Sequence, residues 1–260
     1  MEVEGNNTTI SKDQADDISY DLAAKYWSGI PATVDGMLGG FGFISHTDIQ
    51  GSLKFLRQLF KMRDPPGRRQ ALDCGAGIGR VSKNLLIQNF EKVDLVEQNP
   101  VFLEHAKNYI GPCDKVGEFY NFGLQDFIPD TAKYDVIWSQ WVLGHLTDEH
   151  FIQFFKRCMQ VHPFILCLII NSLKPSGVIV VKENLSSKDV EIDPVDSSVT
   201  RPHALLRHLF QQAGLNCFKE VKQSSLPSGL YEVRMFALRP GRWTSPGESQ
   251  LIGETITSKS

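Results

Sequence analysis

The sequence predicts an α/β protein built on a mainly parallel, doubly wound sheet, and three observations carry that expectation. From Gln70 onward, short apolar runs alternate with helical patterns, an order that places helices on both faces of parallel strands. The first apolar run ends in Asp73-Cys74-Gly75-Ala76-Gly77-Ile78-Gly79, with three glycines at every second position. Such a loop lets the chain turn tightly after a strand and lets a ligand reach the main chain without a Cβ in the way. A second acid, Glu97, closes the next apolar run about 20 residues on, where a carboxylate can accept both hydroxyls of a ribose.

A chain of 260 residues with 42% hydrophobic content can bury a sizeable core as one large domain or two small ones. The formal charge of -3 gives no electrostatic reason to expect a nucleic-acid surface. Five scattered cysteines without a C-x-x-C pair read as reduced, mostly buried thiols of an intracellular protein. His145/His150 and His203/His208 stand five apart, out of phase for one helical face, so no metal site is expected. The polar, acidic N-terminus does not read as a secretory signal. The expected organisation is a disordered N-terminus at 1–16, a folded domain at 17–240 and a flexible tail at 241–260.

In order, a helical pattern runs through Ile18, Leu22, Ala23, Tyr26 and Trp27 and ends before Gly29-Ile30-Pro31. Residues 33–42 are glycine-rich and apolar, which predicts a loop or lid rather than a regular element. Asp48 starts a helix carrying Leu53, Leu56, Leu59 and Phe60, and Asp64-Pro65-Pro66-Gly67 stops it. Strand 71–74, a helix near 78–89, strand 92–97, a helix near 100–110 and strand 117–122 follow, then strand 134–139 and a helix near 148–160. Strand 178–182 and a helix near 201–213 come next. Strands near 216–221 and 230–238, joined through Pro227-Ser228-Gly229, predict an antiparallel edge pair. The apolar run 161–170 is too short to span a bilayer, which takes about 20 residues. It reads either as a buried extension of the preceding helix or as an inserted strand.

The G-x-G-x-G spacing, with an Asp ahead of its first glycine, departs from the dinucleotide pattern G-x-G-x-x-G. It resembles the first motif of the S-adenosylmethionine methyltransferases, whose cofactor has a ribose and a sulfonium but no pyrophosphate. Arg80, just past the loop, is either a charge-assisted fork for the cofactor's carboxylate or a solvated first-turn residue. Gly123-Leu124-Gln125-Asp126-Phe127 past the third strand, and Gln140-Trp141 at the end of the fourth, fit an adenine pocket at the carboxyl edge; Trp138 reads as core. Candidates for the methyl acceptor's side are Trp27, Trp141, His145, Asn184, Asp193, Asp196 and Tyr231. Asp196 reads either as a base or as the N-cap of the next helix, and His145 either as a base or as a core or capping histidine. An α-amine titrates near about 7.7–8.0, so a base as weak as His or Asp deprotonates it. Trp27, Trp141 and Tyr231 supply aromatic walls suited to an apolar ring or a methylammonium.

At these residues the chain resembles the protein α-N-terminal methyltransferases that modify Xaa-Pro-Lys/Arg termini, over roughly residues 20–240. The resemblance rests on Tyr26-Trp27, the T-V-D-G-M-L-G-G string from Thr33, the glycine loop, Gly123-Leu124-Gln125-Asp126-Phe127, the Q-W-V-L-G-H-L-T-D string from Gln140, Lys182-Glu183-Asn184 and Asp196-Ser197-Ser198. It implies a seven-stranded, Rossmann-like SAM-dependent methyltransferase fold with an N-terminal helical cap and an extra β-hairpin over the substrate channel. It also implies Asp196 and His145 as general bases on the substrate's α-amine and Asn184 as the anchor of its first residue. Trp141 and neighbouring aromatics would hold the proline, and Asp193 would attract the cationic third side chain. Met37, Gly40, Gly75, Gly77, Arg80, Glu97, Leu124, Gln125 and Gln140 would surround S-adenosyl-L-methionine. The family's setting implies a monomer acting on protein N-termini in the nucleus and also in the cytoplasm. Glu97 stands where the family usually has Asp, a change a longer carboxylate accommodates. Segment 161–171 reads as an insertion before the fifth strand. Two other readings stay open: a small-molecule methyltransferase on the same fold, or a cofactor-binding scaffold without turnover, if the insertion displaces the neighbouring strand and Asn184 with it.

Overall fold

Parallel strands covered on both faces need apolar side chains at nearly every position. β1 (Gln70–Cys74) and β4 (Tyr134–Gln140) meet that demand, since β4 is buried throughout and β1 from its second residue. The computed structural model describes residues 18–130, 132–159 and 173–241. With β2 (Lys92–Val96), β3 (Val116–Tyr120), β5 (Leu173–Leu185), β8 (Leu215–Lys222) and β9 (Glu232–Pro240), these strands form one seven-stranded sheet in the order β3-β2-β1-β4-β5-β9-β8. The first five run parallel to one another, and β9 is antiparallel to both β5 and β8. The closing strand therefore lies inside the sheet, and β8 alone forms that edge.

Alternation along each strand divides the core in two. Leu72, Ile137, Ile179 and Phe236 face one side, where they meet Phe151, Phe154 and Phe155 of α5 (Asp148–Cys158) and Leu206, Leu209 and Phe210 of α6 (His203–Gln212). Ala71, Val136, Trp138 and Val180 face the other, against Phe55, Leu56 and Leu59 of α3 (Ser45–Phe60) and Leu103 and Ala106 of α4 (Pro100–Ile110). Strand order reverses between β1 and β4, and in such sheets the crevice for a ligand opens beyond the carboxyl ends at that switch point. There the chain places Gly75 and Trp141.

Two helices cap this edge: α1 (Tyr20–Ser28), with Ser19 as its N-cap, and the single turn α2 (Val34–Met37), capped by the Thr33 hydroxyl. The expectation of an irregular lid over 33–42 is thus corrected, because Thr33 and Asp35 give the glycine-rich stretch a helical start, and a 3-10 turn at Gly42–Ile44 follows. Asp48 does not start a helix either: α3 begins at Ser45, and Asp48 lies fully buried inside it. The regular helix expected near 78–89 is a π-helical turn at Ser82–Leu86. Asn84 inside it and Asn89 just past it donate side-chain hydrogen bonds to the Arg80 and Leu85 carbonyls at 2.8 and 2.7 Å, competing with an α-helical ladder.

Strands of three residues, β6 (Glu191–Asp193) and β7 (Ser198–Thr200), pair as a separate antiparallel hairpin. Asp196 sits in its turn. The capping role open to Asp196 is ruled out, since the residue before α6 is Pro202. Segment 161–171 lies outside the described residues. β5 nevertheless pairs in register with β4 from Val178 to Lys182 and with β9 from Ile179 to Leu185, so Asn184 keeps a regular strand position opposite Val233.

Candidate active site

Two clefts open at the carboxyl edge, of about 990 and about 1390 Å³, and they meet at four shared side chains: Trp27, Met37, Trp141 and His145. The first lies over the glycine loop. Gly75 and Gly77 line it with φ of +66° and +54°, and their lack of a side chain serves packing as well as access. A Cβ on Gly75 would stand 2.4 Å from Val142 Cγ2, and one on Gly77 would stand 2.7 Å from Met37 Sδ.

Around this loop the first cleft gathers the groups that an adenosyl sulfonium with an amino-acid tail requires. Glu97, Leu124, Gln125, Arg80 and Gln140 all line it, together with Asp73, Phe102 and Phe122, which sequence reasoning did not single out as ligands. Glu97 accepts the Gly77 N–H at 2.9 Å and the Asn99 N–H at 2.8 Å, which ties the end of β2 to the glycine loop. Burial raises its pKa against those backbone donors. Burial likewise raises Asp73 to about 6, opposed by the Ser82 hydroxyl, which donates to it at 2.7 Å. Leu124 and Gln125 present a loop whose carbonyls, with that of Phe127, are gripped by Arg157 from α5 at 2.7–2.9 Å.

Arg80 is not a solvated first-turn residue: it is 5% exposed. Its Nη1 donates to Asp48 at 2.7 Å, which leaves Nε and Nη2 without a protein partner among the described residues and able to fork a carboxylate. Gln140 lines the cleft with its amide turned to protein partners. Nε2 donates to both Asp48 oxygens at 2.9 and 3.0 Å, and Oε1 accepts from Trp138 at 3.1 Å. Gly40, expected beside the cofactor, lines neither cleft. It is exposed, turns at φ +86°, and its N–H donates to the Asp35 carbonyl, while Gly39 lines the second cleft in its place.

The second cleft collects every other candidate: Asn184, Asp193, Asp196 and Tyr231 line it with the four shared residues. Asn184 stands at the end of β5, Tyr231 precedes β9, and the hairpin contributes both acids. Asp196 Oδ1 accepts from the Ser198 hydroxyl at 2.6 Å, and the Tyr231 hydroxyl donates to Glu191 at 2.6 Å. His145 Nε2 accepts from the Trp27 indole at 3.1 Å. Burial lowers the His145 pKa, while Asp196, the Ser197 backbone and Asp193 pull it back up. Trp141 holds a non-glycine φ of +54°, with the Arg80 guanidinium 5.6 Å and the Lys182 ammonium 5.9 Å from its ring centre. Its buried indole N–H has no hydrogen-bond partner among the described residues. Among the described residues no group of three or more His, Cys, Asp or Glu could hold a metal ion, and no helix is long and apolar enough to cross a membrane.

A seven-stranded sheet with an acid-rimmed glycine loop at its switch point defines the class: an S-adenosyl-L-methionine-dependent methyltransferase. The solved structure of a SAM-dependent methyltransferase from Leishmania major superposes with a TM-score of 0.76 at 37% identity, covering 85% of this chain and 82% of that one. The family described as AdoMet-dependent proline di-methyltransferase matches residues 15–239, and the chain belongs to that family. Similar proteins include alpha N-terminal protein methyltransferase 1 of Drosophila melanogaster, 50% identical over 227 residues that cover 85% of this chain and 76% of the fly protein. N-terminal Xaa-Pro-Lys N-methyltransferase 1 of Homo sapiens is 46% identical over 224 residues, 85% of this chain and 95% of the human protein.

Proposed function

We propose that this enzyme transfers methyl groups from S-adenosyl-L-methionine to the free α-amine of protein N-termini beginning Xaa-Pro-Lys or Xaa-Pro-Arg. The observation that carries the reading is the junction of the two clefts at Trp27, Met37, Trp141 and His145, with Asp193, Asp196 and Asn184 beyond it. The donor supplies an electrophilic methyl on a sulfonium, and the chain's own task is to hold an amine in line with it and to take that amine's proton. An α-ammonium must lose a proton before its nitrogen can attack, and Asp196 and His145 stand at the place where that proton leaves. Asn184 offers an amide to the first residue's backbone. Trp141 and Tyr231 flank the proline ring, and Asp193 provides charge for the third side chain. A chain end bearing a compact proline suits this cleft, because an internal lysine would bring no second-position ring to the tryptophan. The names carried by the fly and human relatives support the same substrate class. Action in the nucleus and cytoplasm belongs to the proposal and is checked by imaging the tagged protein.

The test is a peptide beginning Ser-Pro-Lys, incubated with enzyme and donor and read by mass spectrometry. The expected result is mass gain in methyl steps that disappears when the proline is replaced by alanine or the amine is acetylated. Gain that ignores the proline would point instead to a small-molecule amine methyltransferase, and gain on the acetylated peptide to methylation of another group such as the lysine side chain.

A further inference from the structure

Resting on the reading above, we propose that Glu183 and Arg201 form a clamp that positions His145 against Asp196, acting through backbone rather than on substrate. His145 ends a 3-10 turn, Leu143–His145, that makes few hydrogen bonds of its own, so something else must hold it. Glu183 grips the turn's entry: its Oε1 accepts the Val142 and Leu143 N–H groups, each at 3.0 Å. Arg201 grips its exit. Nη1 donates to the Leu143 carbonyl at 2.9 Å, Nη2 to the Leu146 carbonyl at 2.5 Å, and Nε to Asp148 at 2.8 Å. Glu183 is 8% exposed and Arg201 4%.

The two residues come from the two elements whose placement matters. Glu183 precedes Asn184 at the end of β5, and Arg201 directly follows β7, the strand leaving the turn that bears Asp196. The clamp thus ties the His145 turn to the strand that carries the substrate anchor and to the hairpin that carries the acid. Glu183 also lines the second cleft, which raises a direct catalytic role as the rival explanation. Two backbone donors on Oε1 fix the buried carboxylate against the turn, which favours the positioning role, and Glu183→Gln decides whether Oε2 also acts on substrate.

The experiment measures kcat and KM on the Ser-Pro-Lys peptide, donor affinity by calorimetry, and the His145 imidazole titration by NMR. Glu183→Ala removes the acceptor and is expected to lower kcat about 10²-fold, as a displacement near 1 Å does, with donor affinity held within about twofold. Its His145 titration moves up toward the ordinary imidazole value as the turn opens. Glu183→Gln keeps an oxygen for both N–H groups, and it is expected to recover kcat to within about fivefold of wild type and to leave the imidazole titration low. Should Glu183→Ala fail to fold, Arg201→Lys, which cannot span both carbonyls, is expected to reproduce its kcat loss and its His145 shift. Three results overturn the clamp: Glu183→Gln as inactive as Glu183→Ala, which would make the carboxylate itself a proton acceptor; Glu183→Ala matching wild type; or donor affinity falling in step with kcat. A wild-type enzyme without turnover would remove the reading of function instead, and the imidazole titration would then decide the clamp alone.

Discussion

One ring nitrogen of His145 is held by the Trp27 indole, and the Ser197 backbone acts on the ring as well. Because Nε2 accepts the Trp27 indole N–H, the neutral ring carries its proton on Nδ1, and an incoming ammonium cannot deliver a proton to Nε2 until Trp27 withdraws. Asp196 has no such obstruction: Oδ1 holds the Ser198 hydroxyl, and Oδ2 has no hydrogen-bond partner among the described residues. On the proposed reading Asp196 is therefore the more accessible proton acceptor of the two, and His145 lines the throat beside it. Asp196→Asn is expected to lower kcat by about 10²–10⁴-fold while donor affinity, measured by calorimetry, stays nearly unchanged; His145→Asn costs less. A matched loss in both variants would mean that the two act as one proton relay. At this scale the sequence was informative wherever a polar or aromatic residue stood at a strand end, as at Trp141 and Asn184. It was silent where a side chain's partner lies far along the chain. Gln140 shows why, since its amide turns inward to Asp48, 92 residues away, and no local pattern records that.

At the scale of elements, α3 is joined to the sheet by a buried charged cluster that meets the first cleft only at Arg80. Asp48 of α3 pairs with Arg80 after the glycine loop and with Lys182 of β5, and both Asp48 and Lys182 are fully buried. Lys182 also reaches the Ser52 hydroxyl at 2.9 Å, Gln223 Oε1 at 2.8 Å and the Asp48 carbonyl at 3.0 Å. Burial pushes the Asp48 pKa up, but Lys182 and Arg80 outweigh it and the net shift is downward. Removing one member of such a group leaves uncompensated buried charge, so Asp48→Ala is expected to destabilise by about 3–5 kcal/mol in urea unfolding and to weaken donor binding as Arg80 loses its anchor. Normal stability would show that water enters and replaces the carboxylate. Periodicity gave most of the framework because long strands and helices repeat their apolar spacing several times. It missed β6 and β7 because three residues hold barely one repeat, and it misread Asp48 because a buried, paired acid and a helix-starting acid look alike in one dimension. The hairpin was anticipated only through family resemblance.

For the molecule as a whole, placing acids in a dry rim has a cost in stability that pH exposes. Burial raises Glu183 to about 7 from an ordinary 4.5, against the opposing pull of the Leu143 and Val142 N–H groups and of Arg201. Asp73 rises to about 6 from 3.8 by the same cause. For both, the folded chain keeps a proton that the unfolded chain has already released, so stability falls as pH rises between the unfolded and folded values. His145 has the opposite sign: its lowered pKa means the unfolded chain binds the extra proton, and stability rises with pH as that proton is lost. A substitution is needed to isolate one group from this sum. Replacing Glu183 by glutamine removes its titration while keeping an oxygen for the turn, so the gap between variant and wild type reports that carboxyl alone. The variant is expected to gain about 2 kcal/mol on wild type between pH 5 and pH 8, measured by urea unfolding at both values. A gap constant across that range would mean that Glu183 is already ionised in the folded chain at pH 5, held so by Arg201. The clamp would then be a permanent ion pair rather than a carboxyl that titrates near the pH at which an α-amine loses its proton.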